Sequence, residues 1–565
     1  MLLYANTWRD PFHVTSGGNG DPGMSIWFLG WDVFAVVHHL NPLFSDYLDH
    51  PTGINLMWNP ARWTQALLVA PATLAFGPVL AYNLSQLLGL TLSAAAAYLA
   101  LLVIVGGRRA AFTGGLLYGF SPYMVGHAPI HSDFIFMPIP PLVLLAFHRA
   151  VLSPRAGPRR WGVVLGLLGA AQFLAAEEVA ATMALVAALG VALLLLWRRV
   201  DGTRLRRGIE AAAVAAAVAA AVLVVPVAYQ FGGPATVHGD FHGPGFYVSD
   251  LLGLVIPTST LAGYPPFAVA LSSRFAGGPT ENTAYLGLPL LALLAYTAWR
   301  WREVLLIRWS AALLTLTAVL SLGPLLQVGG RVLAVPLPWL MLQFVPLYGD
   351  VLTSRLMAYV YLLAAVLLAW FVAHLEELAP RRRLLAWALV GLVALSLLPR
   401  APLPAYRRDV PAFFTGSGVA SVEGRTVLVA PFSADTGLLH HDPLEVSDAM
   451  LWQAASGMRF KMPEGYAWAP GARGEPEPGP RPSLTQDLLA RVGVAGESPL
   501  LCKADRERVF GELQSWGVTA AVVGPMRNQD RMRAFLTDLF GAAPDSAGGV
   551  LLWSRLPPTA PPGAC

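Results

Sequence analysis

Between Trp63 and Pro399 the chain alternates apolar runs of near-bilayer length with short polar breaks. The runs lie near 79–105, 110–124, 134–150, 161–177, 179–197, 209–229, 284–300, 309–327, 353–375 and 384–399. Each is expected to be a helix. A helix perpendicular to a bilayer needs about 20 apolar residues, so the shorter runs have soft ends. Residues 63–77 are apolar but brief and contain Pro71, which suits a re-entrant or interfacial helix. Residues 1–62 are polar, aromatic and rich in Pro and Gly. After Pro399 the pattern changes again. Short β-like runs at 425–431, 518–524 and 549–553 alternate with helical patterns at 484–492, 505–516 and 528–540, an order that predicts a small α/β unit. Residues 469–483, full of Pro, Gly and Glu, read as a flexible loop too poor in apolar side chains to pack.

Composition places these elements. A chain of 565 residues that is 55% hydrophobic and 13% charged, with a mean hydropathy of +0.54, is too apolar for an ordinary soluble protein. The expected fold is a polytopic α-helical membrane protein of about ten transmembrane helices with a C-terminal α/β domain. The domain reading is 1–62 as a first outer loop, 63–399 as the membrane part with outer loops at 125–133, 230–283 and 328–352, and 400–565 as a soluble domain. That last block is nearly balanced, with 14 Arg and 2 Lys against 9 Asp and 8 Glu.

Net charge changes the picture only through its distribution. The formal +4 does not point to nucleic acid, because the arginines fall in clusters between apolar runs. Arg108-Arg109, Arg155 with Arg159-Arg160, Arg198 to Arg207, Arg300 to Arg308 and Arg381 to Arg383 are separated by pairs of runs. All can lie in the cytoplasm under the positive-inside rule, which places residues 1–62, the intervening loops and 400–565 outside. No signal peptide precedes them; Met1-Leu-Leu-Tyr reads as the tail of a further helix. Cys502 and Cys565 both fall in the outer block, where a disulfide is permitted, but the Pro-rich terminal setting of Cys565 argues against one.

Candidate chemistry collects at the outer ends of the runs, where an ionisable group beside a membrane is costly unless used. Asn19-Gly-Asp-Pro-Gly puts Asp21 before an aromatic run, Trp27-Phe-Leu-Gly-Trp31; the same triplet is also a common turn. His127, His131 and Asp133, within one short outer loop, offer metal ligands or partners for a phosphate, or simply face water. Glu177-Glu178 places two carboxylates side by side at a helix junction that lacks Gly, Asn or Pro, a setting suited to an acid or a metal site. The loop 230–283 carries His238, Asp240, His242, Asp250 and Glu281-Asn282, with Tyr285 just beyond it, a mixture that suits sugar recognition. Arg355 opens an apolar run, where it can clamp a phosphate or snorkel to headgroups.

These motifs resemble those of the large bacterial membrane glycosyltransferases of the GT-C fold. The resemblance rests on the Asp-Pro turn with its aromatic run, Asn41-Pro-Leu-Phe, His50-Pro-Thr-Gly-Ile-Asn-Leu, Gly119-Phe-Ser-Pro-Tyr123 and Glu281-Asn-Thr-Ala-Tyr-Leu-Gly287; the later motifs are also similar to YfhO-like membrane proteins. It implies transfer of a sugar from a polyprenyl-phosphate donor to a glycan, lipid or protein acceptor at the outer face of a bacterial plasma membrane. It also implies a base or metal-holding carboxylate in the first outer loop. Asp21 matches that position, and Asp10, in Trp8-Arg-Asp-Pro11, is the second candidate. Glu177 and Glu178 match no fixed motif and stand on their own chemistry as further catalytic candidates. Arg355 would meet the donor phosphate, while His127, His131, Asp133, Glu281, Asn282 and Tyr285 would line the substrate, with Mg or Mn as a possible cation. The other class to weigh is a non-enzymatic carrier or scaffold for lipid-linked envelope intermediates. The absence of a nucleotide-binding fingerprint agrees with a lipid-linked donor, and neither interrupted spans nor an internal repeat favours the carrier.

Overall fold

The computed structural model describes the chain except for Met1, Asn19, Ala61, residues 154–156, Pro244, residues 435–445 and residues 563–565. Arg155 and Cys565 therefore lie outside the described residues. The chain divides into two compact units. One comprises Met1–Ala5, Ser85–Val224 and Asp240–Leu403; the other comprises Asn6–Leu84, Val225–Gly239 and Pro404–Cys565. The first loop and the C-terminal block, expected as separate domains, thus fall in one unit.

Most of each apolar run is helical, while the run at 309–327 ends in the strand Leu325–Val328. Among the described residues five helices are long and apolar enough to cross a membrane: Pro78–Ile104, Ser132–Leu152, Glu177–Leu196, Gly202–Gly232 and Thr353–Glu377. The other runs form shorter helices, Arg108–Gly119, Pro158–Phe173, Gly287–Arg300, Leu305–Ser321 and Pro380–Ser396. They fall short because Gly, Pro and Arg cut them, for example Gly106-Gly107 before Arg108. Several arginine clusters sit at helix N-termini, as in Arg108-Arg109 and Arg381 to Arg383. A cation there opposes the helix dipole, so membrane topology explains the placement better than helix stability does.

Close backbone approach pairs some of these helices. A Cβ on Gly162 would lie 2.7 Å from the Ala211 carbonyl oxygen, and one on Gly166 would lie 2.6 Å from that of Ala215. The spacing of the two glycines sets the helix Pro158–Phe173 against the helix Gly202–Gly232, the small-residue contact of membrane interiors.

A hairpin, Leu325–Val328 paired antiparallel with Arg331–Pro336, leads into the loop expected at 328–352. The buried Asp250 carboxylate holds its turn by accepting from the Gly329 N–H at 2.9 Å and the Gly330 N–H at 2.8 Å, and it also accepts from Leu252 N–H at 2.9 Å. Asp250 is therefore occupied by backbone donors. Asp250→Ala should lower stability by about 1–3 kcal/mol, because three part-buried N–H groups lose their acceptor. Thermal melting in detergent would show this; an unchanged midpoint would mean that the turn stands without it.

In the second unit the stretch read as a loop from Asp21 onward is a helix, Gly20–Val37, with Asp21 in its first turn. Gly-Asp-Pro serves a helix start as well as a turn, since Pro tolerates an early helical position and an acid there suits the dipole. The aromatic run is core: Trp27, Phe28 and Trp31 are buried. Trp27 stacks on Trp31 at 5.6 Å and its Nε1–H donates to Gln453 Oε1 at 2.6 Å. Residues 63–77, expected as a short interfacial helix, form the helix Trp63–Phe76 with Pro71 inside it.

A four-stranded sheet forms the C-terminal part, in the order Asp545–Ala547, Val550–Trp553, Val518–Val523, Thr426–Ala430, with only the last pair parallel. The helices Leu484–Gly493, Lys503–Ser515 and Gln529–Phe540 supply Leu488, Leu489, Val509, Phe510, Leu536 and Leu539 to its core. The stretch 469–483 departs from expectation. It contains a hairpin, Trp468–Pro470 paired with Pro476–Pro478, and its ladder is anchored by Asn59, whose Oδ1 accepts from Trp468 N–H at 2.7 Å. Backbone pairing and a side-chain anchor order what composition made look loose. The pairing considered for Cys502 and Cys565 falls on a residue outside the described ones.

Candidate functional site

The helices Glu177–Leu196 and Met357–Ala373 fix the centre of the site in the first unit. Glu178 lies in the first turn of one and Arg355 in the 3₁₀ turn Thr353–Leu356 that leads into the other. Both are at the ends opposite the arginines that close these segments, Arg198-Arg199 and Arg381 to Arg383. The Arg355 guanidinium donates through Nη1 to Glu178 Oε2, through Nη2 to Glu281 Oε1 at 2.7 Å, and through Nε to both Glu281 oxygens at 3.3 Å. It also lies 3.8 Å from the centroid of the Phe134 ring. A planar cation with donors along two edges can serve two carboxylates and a ring face at once; lysine cannot.

Further bonds fix the carboxylates. Glu178 Oε1 accepts from Leu352 N–H at 3.1 Å, and Glu281 Oε2 accepts from Ser354 Oγ–H at 3.2 Å. Glu281 is only 2% exposed. Burial acts to raise its carboxyl, but the Arg355 guanidinium and the His127 and His131 imidazoles outweigh that and hold it below the usual carboxylate range. The structure gives Glu178 of the adjacent pair to Arg355; Glu177 begins the same helix.

The two histidines complete the cluster. His131 Nδ1 is 3.8 Å and His127 Nε2 is 4.0 Å from Glu281 oxygens, and the two Nδ1 atoms are 2.8 Å apart. Burial pushes the His127 imidazole down to about 3, against the pull of Glu281. His127 is fully buried and its Nε2 has no hydrogen-bond partner. Ligand atoms of His127, His131 and Glu281 lie within 4.8 Å of one another. Two imidazoles with one carboxylate form a donor set for zinc or manganese rather than the all-oxygen set of magnesium.

Other expected site residues are placed less centrally. Asp133 is buried and contributes to the field on His127. Asn282 is buried beside Glu281 with an unpartnered Nδ2. Tyr285 meets the cluster's neighbours through its backbone, its carbonyl accepting from Tyr361 Oη–H. Asp350 ties down the loop by accepting from Phe241 N–H at 2.7 Å. Asp10, in the second unit, faces His13 at 2.8 Å and Arg407 at 3.3 Å; the His13 hydrogen bond leads the effects that hold it low. Asp21, in the same unit as Asp10, lies 3.2 Å from Tyr466 Oη. Sequence reasoning missed Phe134, Ser354 and Tyr466. Only the neighbouring Asp133 and Arg355 hinted at the first two, and nothing hinted at the third.

No family model and no curated protein sequence matches the chain. Among solved structures it is similar to the oligosaccharyltransferase of Archaeoglobus fulgidus, crystallised with zinc and sulfate, at 13% identity and a TM-score of 0.44, over 92% of this chain and 66% of that one. It is similar to the mycobacterial arabinofuranosyltransferase AftD at 14% identity and 0.47, over 92% of this chain and 35% of that one. It is also similar to apo ArnT from Cupriavidus metallidurans at 13% identity and 0.39, over 97% and 95%. The chain thus spans less than two thirds of the first two. At these identities and scores the likeness assigns no residue, donor or acceptor.

Proposed function

We propose that the protein is a membrane glycosyltransferase that moves a sugar from a polyprenyl-phosphate donor to an acceptor outside the cytoplasm. The observation that carries this reading is the largely buried Glu178–Arg355–Glu281 array with its two histidines at the ends of apolar helices. Such ionic groups beside lipid are costly unless a charged substrate uses them. In the proposed reaction the acceptor oxygen attacks the anomeric carbon and gives up its proton to a carboxylate base, the role that the family resemblance implies for Asp21. The bond to the phosphate oxygen breaks, and the polyprenyl phosphate leaves as an anion.

Charge bookkeeping then assigns roles in the array. Glu178 and Glu281 against Arg355 leave one net negative charge when the imidazoles are neutral, which disfavours an anionic leaving group. A divalent cation held by His127, His131 and Glu281 would make the array net positive and stabilise the charge developing on the phosphate. Arg355 keeps both carboxylates oriented, and Phe134 covers the guanidinium from solvent.

Transfer of labelled sugar from a panel of polyprenyl-phosphate sugars, in membranes with and without the protein, tests the activity. No transfer from any donor would favour the carrier or scaffold reading. For the cation, His131→Ala should lower manganese or zinc affinity by more than the ~10–100-fold that loss of an outer-shell partner costs. Metal content of the purified protein, counted against wild type, reads this without an activity assay. Equal content would remove the cation from the site.

A further inference from the structure

We propose that Tyr466, carried by the C-terminal segment, positions the Asp21 carboxylate, so that this segment belongs to the catalytic machinery. The inference rests on the reading of Asp21 as the base.

Tyr466 Oη–H donates to Asp21 Oδ1 at 3.2 Å across 445 residues of sequence. The start of the helix Gly20–Val37 lies flush against the same segment. A Cβ on Gly20 would come 2.9 Å from the Tyr466 ring, and one on Gly23 would overlap the Ser447 hydroxyl at 2.1 Å. Any larger residue at either position would push Asp21 away from the tyrosine. Both sides of the contact are fixed. The backbone around Tyr466 is held by Gly465 N–H to the Ser433 carbonyl at 2.8 Å and by Asp49 N–H to the Glu464 carbonyl at 3.2 Å. The helix is held by the Trp27 to Gln453 bond, which reaches the helix Asp448–Ala455.

The hydroxyl of a rigidly held neighbour narrows the rotamers open to the Asp21 carboxylate. A base must point at its proton within a narrow cone, so this selection acts on the rate of the chemical step more than on substrate binding. A tyrosine that merely packed would affect stability and leave the rate alone.

The test is steady-state transfer by Tyr466→Phe, which keeps the ring and its contacts and removes only the hydroxyl. We expect kcat to fall roughly tenfold to a hundredfold, with KM for donor and acceptor within about twofold and an unchanged melting temperature. In an Asp21→Glu background, where the carboxylate is displaced by a methylene, the same change should cost less than about twofold, since coupled groups do not add. An unchanged kcat for Tyr466→Phe overturns the proposal, as does an equal loss in both backgrounds. Absence of transfer by the wild-type protein would instead defeat the reading of the reaction, and this inference with it.

Discussion

Asp21→Asn should lower sugar transfer by about 10²–10⁴-fold, the range that a positioned general base supplies, while leaving the protein folded. Asparagine keeps an oxygen that can accept from Tyr466 and stays compatible with a helix start. The loss of charge in the first turn costs only about 0.3–1 kcal/mol of dipole interaction. The rate and the fold should therefore separate, and the measurement is transfer per folded molecule in membranes holding either form. Equal transfer by both would keep the enzyme and move the base to Asp10 or to Glu177 and Glu178. Of these, Asp10 and Glu178 are the less suited, since His13 and Arg407 already stabilise the charge of the one and Arg355 that of the other.

Arg355→Ala should have the largest effect on stability, a loss of about 3–5 kcal/mol, because it strands Glu178 and Glu281 as buried charges without a partner. The side chain of Arg355 is 13% exposed and that of Glu281 is 2% exposed, so water cannot substitute for the guanidinium at Glu281, whereas Glu178, at 22%, is partly hydrated. Lysine should rescue little, having no second edge for the second carboxylate. Neutralising all three groups together, as Glu178→Gln, Glu281→Gln and Arg355→Met, should recover most of the loss, since an apolar or neutral core of similar volume can replace a buried ionic array. Melting in detergent distinguishes these variants. A wild-type midpoint for Arg355→Ala would mean that the carboxylates are hydrated and the array is not a buried one.

The sequence was informative where a property is local. Apolar runs announced the helices, short β-like runs announced the strands Thr426–Ala430, Val518–Val523 and Val550–Trp553, and arginines marked helix ends. Glu178, Arg355 and the two histidines were each visible as polar residues at the margins of apolar runs. Their meeting was not, because Arg355 is separated from Glu178 by 177 residues and from Glu281 by 74, and no local pattern encodes which distant groups will share a charge. The same limit hid Tyr466. The Asp21 stretch was ambiguous for a different reason: a Gly-Asp-Pro turn and the first turn of a helix make the same local demands. The hairpin at 468–478 was misread because composition measures how much a segment can bury, whereas this one is held by backbone pairing and by Asn59.

The packing of Gly162 and Gly166 against Ala211 and Ala215 separates two kinds of instruction in this chain. Leucine and valine tell a segment to leave water, but they cannot choose its neighbour, since lipid tails are as apolar as any helix face. The choice of neighbour falls to residues that contribute almost nothing to hydropathy and act by being small enough for two backbones to touch. Drift toward larger apolar side chains along this seam would strengthen the signal for insertion while erasing the address for assembly.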